Sequence, residues 1–285
     1  MSDFDCFIMV DWSGGNDRGP KPKKDAIWIA TARRGQTADA PVYMRNRQLA
    51  ESWLHDTLLA ETAAGRRTCV GFDFPFGYPQ GFARAITNSD DPLLLWDWLA
   101  GRITDMPKAN NRFDVAAGIN ARFQGVGPFW FNPLKRDIAH LPRKGRDRSA
   151  NPFNEKRAIE LRESKAFTLW QLAGAGAVGS QTLMGLPVLS RLCAALPVSV
   201  WPFETLRTPI AFVEIWPSLL APQVAARMTD HLIKDAVQVA TMATAFANVS
   251  PSELALMLDV NAPIEGWILG HGHHATLAAA LGRCP

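Results

Sequence analysis

Four carboxylates close apolar runs that are far apart in a chain of 285 residues: Asp11 in IMVDWSGG, Asp73 in VGFDFPFG, Glu214 in AFVEIWPS and Asp235 in IKDAVQVA. A carboxylate at the end of a buried strand does little for stability, because taking a charge out of water costs several kcal/mol unless a partner offsets it. Four of them brought together would repel one another, and a cation between them would remove that repulsion. Hard oxygen donors select hard divalent ions, so the pattern predicts a site for two Mg²⁺ or Mn²⁺ ions, one to activate an attacking water and one to stabilise the leaving oxygen of a phosphoryl group. Asp11, Asp73, Glu214 and Asp235 are therefore the candidate metal ligands and the candidate catalytic residues. Each also has a plainer use. Asp11 suits the start of the Ser13-Gly14-Gly15 turn, Asp73 a turn before Phe74-Pro75, Glu214 a buried ion pair with an arginine, and Asp235 the positive end of a helix dipole.

The elements that must position these residues follow from hydrophobic period. CFIMVDW, DAIWIATARR and PVYMRNR read as three strands with short connections, an antiparallel meander. Residues 47–64 carry Leu49, Trp53, Leu54 and Leu58 at helical spacing, and Gly65 stops the helix. TCVGFDF is a fourth strand and PIAFVEIWP a fifth. Residues 231–248 form a helix with Asp235, Val239, Met242 and Phe246 on one face and a second stripe of Ala236, Ala240, Ala243 and Ala247. Asp91-Pro92 opens another helix, a further one covers 112–124, and Ser250-Pro251-Ser252-Glu253 is a capping box. The order β-β-β-α-β, insertion, β-α predicts an α/β fold with a mixed five-stranded sheet flanked by helices. Residues 1–285 form a single domain with its core at 1–76 and 207–285 and a long, mostly helical inserted subdomain at about 77–206, between strands four and five. Strands one and four then lie side by side, so Asp11 and Asp73 are neighbours, Glu214 joins from the next strand and Asp235 from the covering helix.

Composition bounds the rest. Apolar residues make up 47% and charged residues 20%, as in a globular chain with a sizeable core. The net charge of +3 gives no global sign of nucleic acid. The segment 135–165 nevertheless holds ten basic and five acidic residues just after Phe129-Trp130-Phe131. Basic side chains beside aromatics can track a phosphate backbone and stack bases, so Arg143, Lys144, Arg146 and Arg157, with Ser13, are the candidate substrate-binding residues. A solvated loop and helix face explains the same charges. Cys6, Cys69, Cys193 and Cys284 are widely spaced and form no CxxC; Cys6 and Cys69 read as buried free thiols, which suits a reducing compartment. No signal peptide and no apolar run long enough for a membrane span is read, so a cytoplasmic location is expected.

Three further motifs compete. Gly174-Ala-Gly176-Ala-Val-Gly179 is a literal GxGxxG between a strand-like AFTLWQLA and a helix, with VSVWPFE, ending at Glu204, as a second strand and ribose-binding acid; flanking βαβ units are missing. His271, His273 and His274 read either as a metal cluster or as a polar turn. Asp17 and Asp25 flank a charged loop and are expected to be solvated.

The strand-terminal Asp in VDWSGG, the Asp in GFDFPFGYP, the Glu in VEIWPS, the helical Asp in KDAVQVATMATAFA and the late EGWILG resemble the predicted RNase H-like nucleases of "domain of unknown function 429". The resemblance covers about 1–80 and 208–270. It implies an RNase H-like fold and a divalent-metal site at Asp11, Asp73, Glu214 and Asp235, hence a nuclease-like phosphodiester hydrolase acting on nucleic acid or another phosphoester. Two other readings stay open: an actin-like ATP-binding phosphotransferase using Asp11 and Ser13-Gly14-Gly15, and a non-catalytic RNase H-like binding protein.

Overall fold

The computed structural model of the chain describes residues 3–124, 126–148, 151–163 and 166–283. Lys165 and Cys284 lie outside the described residues. In chain order the elements are β1 (Cys6–Asp11), β2 (Ile27–Arg33), β3 (Val42–Met44), α1 (Arg47–Ala63), β4 (Thr68–Phe72), α2 (Phe82–Thr87), α3 (Pro92–Ala100), β5 (Asp105–Met106), β6 (Ala109–Asn110), α4 (Arg112–Asn120), α5 (Gly179–Ala195), β7 (Val198–Val200), β8 (Ile210–Glu214), α6 (Ala221–Arg227), α7 (Lys234–Asn248), α8 (Pro251–Leu258) and α9 (His274–Ala280). They fall into two compact units. The first comprises Met1–Phe74, Leu192–Ala262 and Trp267–Pro285, and the second Pro75–Arg191 and Pro263–Gly266. The first unit thus resumes at Leu192, upstream of residue 207.

The first unit is built on a six-stranded sheet in the order β3-β2-β1-β4-β8-β7. β2 is antiparallel to both of its neighbours, whereas β1, β4, β8 and β7 run parallel. This corrects the expected five strands to six. The extra strand, β7, is the three-residue start of VSVWPFE, a run that the sequence offered to a dinucleotide unit rather than to this sheet, where it pairs with β8. Cys6–Val10 of β1 and all of β4 and β8 are buried. Continuous burial without alternation means that both faces of these central strands are covered. α7 lies against β1 and β2, and α1 against β3 and β4. The apolar face of α7 buries Val239, Met242 and Phe246, and the small Ala243 and Ala247 are buried with them. α1 begins where the Asn46 side chain accepts the Leu49 N–H, and the chain turns away after it through Gly65 at φ +71°. That left-handed residue is the glycine stop expected from the sequence. The capping box at Ser250 and Glu253 is present, as is the Asp91 cap of α3.

The second unit is less helical than expected. α4 ends at Asn120, and from Ala121 to Val178 the described residues form only two three-residue 3₁₀ turns, Gly145–Asp147 and Glu160–Arg162. Side chains replace the missing ladders. Buried Asn120 donates to the carbonyls of Phe129 and His140 and accepts the Phe129 N–H. Around it, Tyr78, Phe82, Phe129 and Trp170 pack with ring centroids 4.6–6.1 Å apart. Such aromatic packing holds an irregular chain without any periodic signature. Among the described residues, no helix is long and apolar enough to cross a membrane.

Candidate functional site

The strand register brings Asp11 and Asp73 together. Val10 is paired with Phe72 across β1 and β4, and the Asp73 N–H continues that ladder to the Val10 carbonyl at 3.2 Å. The two aspartates therefore leave neighbouring parallel strands at the same level and on the same face. Their carboxyls hydrogen-bond to each other. Asp73 Oδ1 also accepts the Trp12 N–H at 2.6 Å, which fixes its orientation. Trp12 itself is buried, with its ring against Phe72 and Phe74.

Electrostatics make this pair reluctant to ionise. Burial raises the Asp11 carboxyl well above the usual range, and the charges of Asp73, Asp235 and Asp25 raise it further. Asp73 is pushed up to about 7, chiefly by burial, against the opposing bonds from the Trp12 N–H and Asp11. Two carboxyls in contact at neutral pH share a proton, because like charges so close cannot both ionise.

Asp235 approaches from the first turn of α7. Its carboxyl is also raised, first by burial, while its Oδ2 accepts the Asp25 N–H at 2.7 Å. Asp25 is the residue that the sequence missed. Its side chain is exposed, as expected of a loop acid, but its main-chain N–H fixes Asp235, and nothing in the flanking lysines signals this. Asp17, by contrast, departs from expectation. Its side chain is enclosed, accepting from Arg45 Nε, Asn46 Nδ2 and Gly19 N, and those bonds hold its carboxyl down at about 2.

Glu214 is not brought into the group. It is paired with Phe72 across β4 and β8, so the pleat places it on the face of Val10 and Phe72, opposite to Asp11 and Asp73. Its carbonyl accepts the Leu269 N–H at 2.8 Å, and Ile268 forms a parallel bridge beside it. The late EGWILG segment thereby extends the end of β8. The expected four-carboxylate cluster reduces to Asp11 and Asp73 in contact, with Asp235 near. Among the described residues, no group of three or more His, Cys, Asp or Glu is arranged to hold a metal ion.

The turn after Asp11 is held from below. Buried Arg47 donates to the carbonyls of Ser13 (2.8 Å) and Gly15. Ser13 Oγ donates to the Asp25 carbonyl at 3.1 Å and accepts the Gly15 N–H at 3.2 Å, so the candidate substrate residue Ser13 serves the turn's own closure.

The basic candidates belong to the second unit. Arg157 is fully buried against Glu160 and donates to the Glu265 carbonyl, a structural ion pair rather than a surface contact. Arg143 is bonded to Asp137 and to the carbonyls of Asn132 and Leu134. Lys144 and Arg146 are exposed. The GAGAVG segment lacks the strand that a dinucleotide unit needs before it: Gln171 makes only an isolated bridge to Trp130. Gly176, at φ +72°, leaves no room for a Cβ beside the Phe167 ring. Gly77 of GFDFPFGYP packs on the Glu265 backbone, where a Cβ would sit 2.5 Å from the carbonyl oxygen, so that glycine serves chain packing. In the histidine segment, His271 in the turn before α9 meets His274, the first residue of α9, edge to face at 6.1 Å. Cys6 and Cys69 are buried free thiols raised by burial to about 11 and about 12.

No family model, no curated protein and no solved structure matches the chain.

Proposed function

We propose that this chain is a divalent-metal-dependent phosphodiester hydrolase of RNase H-like fold, working at Asp11, Asp73 and Asp235. The contact between Asp11 and Asp73 at the ends of adjacent parallel strands carries the reading. The strand order β3-β2-β1-β4-β8, with β2 antiparallel between β1 and β3, supports the RNase H-like assignment; β7 extends that sheet. The donor set supports one hydrated ion. Mg²⁺ is commonly held by one or two carboxylates, with water and substrate phosphate at the other positions, and two mutually repelling buried carboxyls are the chemistry that such an ion relieves. Asp11 and Asp73 would hold it, with the Trp12 N–H keeping Asp73 in place. When bound, the ion would neutralise the pair and polarise a phosphoryl oxygen. Asp235, fixed by the Asp25 amide, would orient an attacking water and accept its proton.

The Asp11–Asp73 hydrogen bond also favours a second reading, a metal-free acid–base dyad sharing one proton. One assay separates the two. Purified protein is incubated with single- and double-stranded DNA, RNA and bis-p-nitrophenyl phosphate, with Mn²⁺ or with chelator. Cleavage that needs Mn²⁺ and is lost in Asp73→Asn supports the metal reading, and cleavage that survives chelation supports the dyad. No cleavage of any substrate contradicts both.

A further inference from the structure

Asp25 adopts φ +55°, one of four non-glycine residues with positive φ among those described. Its side chain is 73% exposed and reaches only Arg18, at 4.0 Å, so the side chain does not hold this conformation. The main chain is held on both sides. The Asp25 carbonyl accepts Ser13 Oγ from the turn after Asp11, and the Asp25 N–H donates to Asp235 Oδ2 on α7 at 2.7 Å. Before it, the Lys24 and Lys23 carbonyls accept Arg18 Nη2 and Trp28 Nε1. The main chain of one residue thus ties the turn that follows one site carboxylate to the helix that carries another.

We propose that Asp25 is a positioning residue for Asp235: its left-handed backbone turns the N–H onto Oδ2 and so orients that carboxylate for the site. Its consequence for catalysis rests on the hydrolase reading above; the positioning itself does not. The residue type fits. Aspartate and asparagine visit the left-handed region because their short polar side chains bond locally, glycine enters it freely, and β-branched residues are excluded from it. The device works through the main chain, so the identity of the side chain matters chiefly through φ.

The test compares Asp25→Gly, which keeps the amide and favours positive φ, with Asp25→Val, which disfavours it; Asp25→Ala replaces Val if that variant does not fold. In the metal-free protein, the amide proton of residue 25 is followed by NMR. The downfield shift of a carboxylate-bonded amide should be present in the wild type and Asp25→Gly, and lost in Asp25→Val and in Asp235→Ala, with amide exchange about tenfold faster. Mn²⁺ affinity and kcat should fall about tenfold in Asp25→Val with KM little changed, and Gly should recover most of the loss. In an Asp235→Ala background, Val should have no further effect, which is the coupling expected of two groups in one interaction. Equal behaviour of Gly and Val, or additive effects in the double variant, would overturn the proposal. A wild type that neither binds Mn²⁺ nor cleaves removes the hydrolase reading alone, and the amide shift still decides the positioning claim.

Discussion

Asp11 and Asp73 leave adjacent parallel strands with their carboxyls bonded to each other, and the Trp12 N–H reaches Asp73 at 2.6 Å. This arrangement costs stability when no cation is bound. Replacing one acid by its amide isostere keeps the shape and the acceptor for Trp12 while removing a buried charge. Asp73→Asn should therefore raise the stability of the metal-free protein by about 1–3 kcal/mol at pH 8, read by urea unfolding. Destabilisation would mean that the pair is structural.

The same pair sets a pH dependence. Asp73 is raised from about 4 to about 7, so the folded chain binds more protons than the unfolded one between those values. Its contribution is fully present below about pH 4 and lost as pH rises through about 7. The stability deficit of the wild type relative to Asp73→Asn should thus shrink as pH falls from 8 to 5, and a flat difference across that range contradicts the placement.

A different carboxylate works with the opposite sign. Glu61 at the end of α1 has a nearly buried side chain bonded to Arg33 (Nη2 at 2.7 Å) and Arg66 (Nε at 2.6 Å), and those bonds hold it down at about 2. Its contribution is present above the usual glutamate value and lost as pH falls through about 2. Glu61→Gln should cost about 1–3 kcal/mol at neutral pH, because two half-exposed arginines lose a charged acceptor. A neutral effect in thermal unfolding would show that solvent already satisfies both.

Gly71 of β4 is fixed by packing. A Cβ there would lie 2.6 Å from Met9 Sδ and 2.7 Å from Ile215 Cγ2. Gly71→Ala should destabilise by about 1–3 kcal/mol and, by displacing the strand that carries Asp73, weaken Mn²⁺ binding in a titration. A fully stable variant would imply that the sheet gives way without cost.

The sheet was legible where period and composition agreed. The unbroken apolar runs of β1, β4 and β8 marked central strands, and the Asp235–Phe246 stripe marked the helix covering them. Parallel pairing of β1 with β4 then put Asp11 beside Asp73. Glu214 was misjudged because the pleat decides faces residue by residue, and one step of register moves a side chain across the sheet. Asp25 was illegible because its role lies in a φ angle and a main-chain N–H, while Lys23 and Lys24 beside it read as solvent. In the second unit, the Asn120 bonds and the aromatic packing around Trp170 have no sequence period at all.

The central claim is that Asp11 and Asp73 share a divalent ion. Anomalous diffraction from a Mn²⁺-soaked crystal tests it most directly. The account predicts a peak at about 2.0–2.3 Å from an oxygen of each carboxyl, with the Asp11–Asp73 hydrogen bond gone. A saturating soak that leaves that bond intact, with no peak between the two residues, would contradict it.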